Sequence, residues 1–183
     1  MKPVAIALAL LVLATGAVHT AQAEDWRDRL KRSLNRGGPV TEQEAAGGIR
    51  EAVEAVAREL PVVLVTKGDL FHQEAKVAAS GLADLFRRIE IVSEKDARAY
   101  SRVLAEFGVA PAGFAMVGNS LRSHIEPVVR LGGWGVHMPY EVTWAHELEN
   151  GLEPAHRARI ASVDAPAGIP RAVAGLQAKA VMA

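Results

Sequence analysis

The chain has 183 residues, with 21 basic and 21 acidic side chains and a formal net charge of zero. That balance gives no electrostatic reason to expect nucleic acid or an anionic surface as partner. There is no cysteine, so disulfides, thiolate nucleophiles and cysteine metal sites are excluded, and with 50 % apolar residues the length suits one domain with a real core.

The chain opens as a secretory leader would. Lys2 is a short positive start, Val4 to Val18 is an almost unbroken apolar run, and Ala21-Gln22-Ala23 before Glu24 fits a small-x-small cleavage site. The run is shorter than the ~20 residues a membrane span needs. The expectation is a signal peptide over 1–23, a periplasmic or secreted protein, and no stable membrane anchor after cleavage. The competing reading makes residues 4–12 a core strand, which predicts a retained N-terminus and a cytoplasmic protein.

Residues 24–40 read as a charged amphipathic helix, with Trp26, Leu30 and Leu34 at helical spacing, and a linker ending at Pro39. Thr41 with Glu44 is a capping-box pattern, and the helix it opens is predicted to run to about Leu60. Val62 to Val65 is a continuous apolar run of the kind a strand buried on both faces requires. A helix is predicted over 70–80, a strand over 89–92, a helix over 97–107, a strand over 114–117, a helix over 121–131 and a strand over 134–138. Strands alternating with helices across short connections give an α/β fold with a parallel sheet. After Asn150 the periodicity decays. Residues 151–183 are expected to be a weakly structured tail with one weak strand near Arg159 to Val163 and a short helix.

In such sheets functional groups collect at the C-terminal ends of strands. Here those ends give Thr66-Lys67-Gly68-Asp69, then Ser93-Glu94-Lys95-Asp96, then Gly118-Asn119-Ser120-Leu121-Arg122-Ser123-His124. In this order they resemble the second, third and fourth motifs of haloacid dehalogenase-like (HAD) hydrolases, phosphatase-like subgroup. Gly132 to Tyr140 and Thr143 to Glu147 look like the last strand and exit loop of such members. The resemblance spans about residues 48–147 and implies a three-layer Rossmann-like core over 41–150. It implies catalytic roles for Thr66 and Lys95, and phosphoryl contacts from Thr66, Lys67, Asn119 and Arg122. It also implies Mg2+ near Asn119 and the His124 position, and a small phosphorylated molecule as partner.

In that chemistry an Asp carboxylate attacks phosphorus while Mg2+, a hydroxyl and an ammonium neutralise the phosphoryl oxygens. The family's first motif, a strand ending in Asp-x-Asp, has no counterpart. Before Pro61 the only aspartates are Asp25 and Asp28, in a charged segment and three apart. The usual cap domain is absent, or reduced to the helices at 26–60. His124 stands where resembling members have an Asp, and imidazole is a poor ligand for magnesium. Drift at a disused metal position is favoured over a switch to a transition metal with His72, His137 or His146.

Three functions follow as expectations. The first is a degenerate HAD-type domain, truncated because it lacks the first-motif strand and the cap. The second is an Mg2+-dependent phosphatase completed by other carboxylates such as Asp69 or Glu126. The third is an exported anion-binding module. Trp134, Tyr140 and Trp144 either pack a sheet edge or line a mouth, with packing favoured, and no second His follows His146-Glu147 at metalloprotease spacing. Without the first-motif strand, the strands at 62–65 and 114–117 lack their shared neighbour. They must then pair directly or accept a substitute.

Overall fold

A computed structural model describes residues 5–8, 42–139 and 152–182. The elements in chain order are β1 (Ala5–Leu8), α1 (Glu42–Ala57), β2 (Val62–Lys67), α2 (Leu70–Ala79), β3 (Arg88–Val92), α3 (Ala97–Phe107) and β4 (Phe114–Gly118). They continue with a π turn (Leu121–Ile125), α4 (Glu126–Arg130), β5 (Trp134–His137), α5 (Pro154–Arg157), β6 (Ile160–Ser162) and α6 (Ile169–Met182). The helix and linker expected over 24–40, the exit-loop residues Thr143 to Glu147 and the aromatics Tyr140 and Trp144 lie outside the described residues. So does the stretch between β1 and α1, where a cap would be placed.

The strands form one sheet in the order β3-β2-β1-β4-β5-β6, and every pairing is parallel. This order reverses direction between β1 and β4, the switch point at which doubly wound sheets open a crevice at their strand ends. Side chains alternate cleanly across the sheet. Val62, Leu64, Ala115, Val117 and Val136 pack with Val53 and Val56 of α1 and Val173 and Leu176 of α6. Val63, Val65, Phe114 and Met116 face the other way, onto Tyr100 and Leu104 of α3 and Val128 and Val129 of α4. The result is the expected three-layer α/β core.

The place between β2 and β4 is filled by Ala5–Leu8. This corrects one element of the sequence reading: the central position is not vacant, and the strand there comes from the leader-like run. β1 pairs with β2 through Ile6↔Val62, Ala7↔Val63 and Leu8↔Leu64. It pairs with β4 from Ala5↔Phe114 to Leu8↔Val117. What remains missing is the acidic pair, since Ala9-Leu10-Leu11 follows the strand.

The C-terminal region is more ordered than expected. The strand expected near Arg159 to Val163 is present as β6 and extends the sheet beside β5, through Gly135↔Ile160 to His137↔Ser162. α6 is a 14-residue helix whose Ile169, Val173 and Leu176 are buried in the core. Residues 152–182 therefore belong to the folded domain. The helix predicted over 121–131 is split: His124 and Ile125 both donate their amides to the Ser120 carbonyl, which opens a π turn. Pro127 gives the cause, since it has no amide to donate and its ring crowds the preceding carbonyls.

β3 is one edge of the sheet and is covered by charge. Glu90, buried at 7 % exposure, pairs with Arg88 and with Arg102 at 3.1 Å. Glu106 closes the network to Arg88 at 2.7 Å and to Arg102 at 2.9 Å.

Candidate functional site at the strand ends

β2 delivers Thr66 to its C-terminal end, half-buried. The hydroxyl donates to Gln73 Oε1 at 2.8 Å. Gln73 is buried on the inner face of α2 and packs under the loop at Gly68, which has φ +145°. A Cβ at Gly68 would lie 2.7 Å from Gln73 Nε2, so both backbone and space require glycine here. Gln73 was not singled out from sequence. Its only signal is a polar residue on the helix face that also carries Val77.

Lys67 points away to Glu94, with Nζ 2.6 Å from Oε2 and both side chains at least half exposed. Such a surface pair contributes at most ~1 kcal/mol. Asp69 caps α2, its Oδ1 accepting from the His72 amide at 3.1 Å, and Asp96 caps α3 through the Ala99 amide at 2.8 Å. Glu126 is held by Arg130 at 2.8 Å. Asp69 and Glu126, the two carboxylates weighed as a replacement nucleophile, therefore each serve a local partner.

Lys95, on the loop after β3, reaches His124 of the π turn, with Nζ 3.1 Å from Nε2. Burial, and then the nearby charge of Lys67, lower the Lys95 pKa from 10.5 to about 8. His124 is buried at 5 % exposure. Burial first, then Lys95 and His137, push its pKa down to about 3. At neutral pH the pair is a mostly protonated ammonium donating to a neutral imidazole. The ring proton then sits on Nδ1, which finds no hydrogen-bond partner among the described residues. The side chain packs against Gly118, where a Cβ would come within 2.6 Å of Nδ1.

Asn119 follows β4 directly. Its carbonyl oxygen accepts from His137 Nε2 at 3.0 Å, which fixes that tautomer. Burial lowers the His137 pKa, and this hydrogen bond opposes the shift. Asn119 Oδ1 is buried and unpartnered among the described residues. Ser120 caps the π turn by accepting from the Ser123 amide at 3.0 Å, while Arg122 is exposed.

The sequence-predicted residues thus separate into groups. Lys95, His124, Asn119 and Thr66 come from β2, the loop after β3, and the end of β4, around the switch point. Lys67 leans on Glu94 and Arg122 lies on the surface.

The fit to magnesium is poor. The cation takes oxygen donors, carboxylates foremost. Here Asn119 Oδ1 is a neutral oxygen, His124 Nε2 is occupied by the Lys95 proton, and Nδ1 carries a hydrogen of its own. The described residues contain no group of three or more His, Asp or Glu side chains placed to hold a metal ion. No chemical step is derived through Mg2+.

Among solved structures, the chain is 42 % identical to a haloacid dehalogenase-like family hydrolase from Xanthomonas campestris. That match covers 93 % of this chain and 69 % of the other, with a TM-score of 0.65. The chain belongs to the haloacid dehalogenase-like hydrolase family. More distant HAD structures share the fold. A 2-haloacid dehalogenase from Pseudomonas syringae is 14 % identical over 95 % of this chain and 99 % of that one, with a TM-score of 0.58. A HAD-hydrolase from Bacillus subtilis, bound to magnesium, is 12 % identical over 90 % and 96 %, with a TM-score of 0.57. No family model and no curated protein matches the sequence.

Proposed function

We propose that this HAD core no longer performs phosphoryl transfer through an aspartyl-phosphate. The observation that carries the reading is the central strand: β1 leads into Ala9-Leu10-Leu11-Val12, and the first carboxylate in the chain is Glu24. The Lys95–His124 contact supports it. In an aspartyl-phosphate enzyme an ammonium at this place meets carboxylates, and here it meets a neutral ring.

The groups that remain favour holding an anion over breaking a bond. Thr66, Lys95, Asn119 and Arg122 supply donors and positive charge, and a small phosphorylated molecule is the ligand class they suit. Lys67 joins them only by releasing Glu94. The zero net charge favours such a molecule over nucleic acid. No described helix is long and apolar enough to cross a membrane.

The test is hydrolysis of a generic aryl phosphate by the full chain, with and without magnesium, beside Lys95→Ala. The expected result is no magnesium-dependent turnover above the Lys95→Ala level, with inorganic phosphate still weakly bound by the unaltered chain. Magnesium-dependent turnover abolished by Lys95→Ala would overturn the reading and require a carboxylate nucleophile from elsewhere in the chain.

A further inference from the structure

The segment Ala5–Leu8 satisfies two descriptions at once. It lies inside a run with the composition of a leader, and it is the middle strand of the sheet. The coincidence has a physical cause. A strand buried on both faces of a parallel sheet and the apolar stretch of a leader both call for short runs of uncharged aliphatic residues.

We propose that Ala5–Leu8 stays in the folded protein as this strand, so that removal of residues 1–23 and folding of this domain exclude one another. Seven register pairs tie the segment to its neighbours, three with β2 and four with β4. Its neighbours are deeply buried: Val65 and Met116 are at 0 % exposure and Leu64 at 1 %. Cutting after Ala23 would leave the facing edges of β2 and β4 unpaired beneath helices on both sides. Water cannot reach amides and carbonyls there, and unpaired groups in such a place are strongly unfavourable. Closing the gap would require β2 and β4 to slide together and every helix above and below to repack. The order of events then sets the outcome: a chain that folds first hides its N-terminus in the sheet, and a chain that is processed first loses its centre. This inference does not depend on whether the strand-end site turns over phosphate.

The experiment is hydrogen exchange on the full chain with peptide mass readout, together with the intact mass of the folded fraction. Peptides spanning residues 5–8 are expected to exchange at least ~100-fold more slowly than an unstructured chain, in step with those covering Val62 to Val65. The folded fraction is expected to keep Met1. A folded, cooperatively melting species beginning at Glu24 would overturn the proposal. So would unprotected exchange across 5–8 in a chain otherwise protected. As a second measurement, Ala7→Pro removes one strand amide and is expected to lower Tm by at least ~5 °C. Glu74→Ala, at an exposed position of α2, is the control and is expected to leave Tm nearly unchanged. Equal melting of the unaltered chain and Ala7→Pro would also overturn the proposal.

Discussion

Val62 to Val65 and Phe114 to Val117 are buried on both faces of the sheet among apolar neighbours. The residues that continue these strands, Thr66 and Gly118 to His124, carry polar atoms that meet one specific partner or none. Within the strand bodies the requirement is generic: an apolar, unbranched or β-branched side chain of suitable volume. That is why a leader-like run can serve as β1. At the strand ends the requirement is atomic. Where resembling members carry a carboxylate, the His124 ring offers a neutral acceptor, and Lys95 has no counter-ion among the described residues. On the reading proposed above, the family fold persists while the family chemistry does not.

The comparison is broken most forcefully inside the body. Met116→Ala deletes a fully buried side chain, and its expected cost is ~2–5 kcal/mol in denaturant unfolding. A cost under about 1 kcal/mol would mean that the core repacks freely and that the strand bodies are less demanding still.

The strand ends are sharpened by pH. His124 titrates near 3 in the folded protein and near 6.5 when unfolded, so between those values only the unfolded chain binds the proton. Stability should fall by a few kcal/mol as pH drops from about 6.5 toward 3. Lys95 titrates near 8 folded and near 10.5 unfolded, so stability should rise as pH increases through that upper window. His124→Asn should flatten the acid limb, and Lys95→Met the alkaline one, in urea melts taken across pH. Unchanged limbs would show that neither side chain is buried as described. The smallest expected effect is Gly118→Ala, which pushes a methyl group into the imidazole for ~1–3 kcal/mol. Pairing it with His124→Ala should recover only part of that loss, since the ring atoms leave but the His124 Cβ stays 2.8 Å from the added carbon.

Most of the sheet was legible in the sequence because burial on both faces writes a plain signal. The runs at 62–65, 89–92, 114–117 and 134–138 lie within or beside β2, β3, β4 and β5. The α3 helix was equally clear, since Asp96 and Gly108 mark its two ends. β1 was ambiguous because composition alone does not separate a leader from a buried strand. α6 was obscured by Gly168, Pro170 and Gly175, which blur the period of its buried face. The π turn needed the backbone consequence of Pro127 to be followed back to Ser120. At the site, strand ends located Thr66, Lys95 and Asn119. The hydrogen bond from Lys95 to His124 joins residues 29 apart, and no local pattern encodes it. Gln73 is nearer, seven residues beyond Thr66, but a lone polar residue on a helix face does not say which loop it will meet.

The charged network over β3 bears on how this protein behaves at high concentration. An open sheet edge offers backbone amides and carbonyls to any passing strand, and repeated addition there builds fibrils. On β3 the side chains of Arg88 and Glu90 stand at that edge, tied to Arg102 and Glu106 of the neighbouring helix. An incoming strand would have to strip water from these ions and loosen their pairing before gaining its first backbone bond. The opposite edge, β6, is only three residues long and gives little template. Self-association through the sheet is thus opposed on both sides, by ionic cover on one and by brevity on the other.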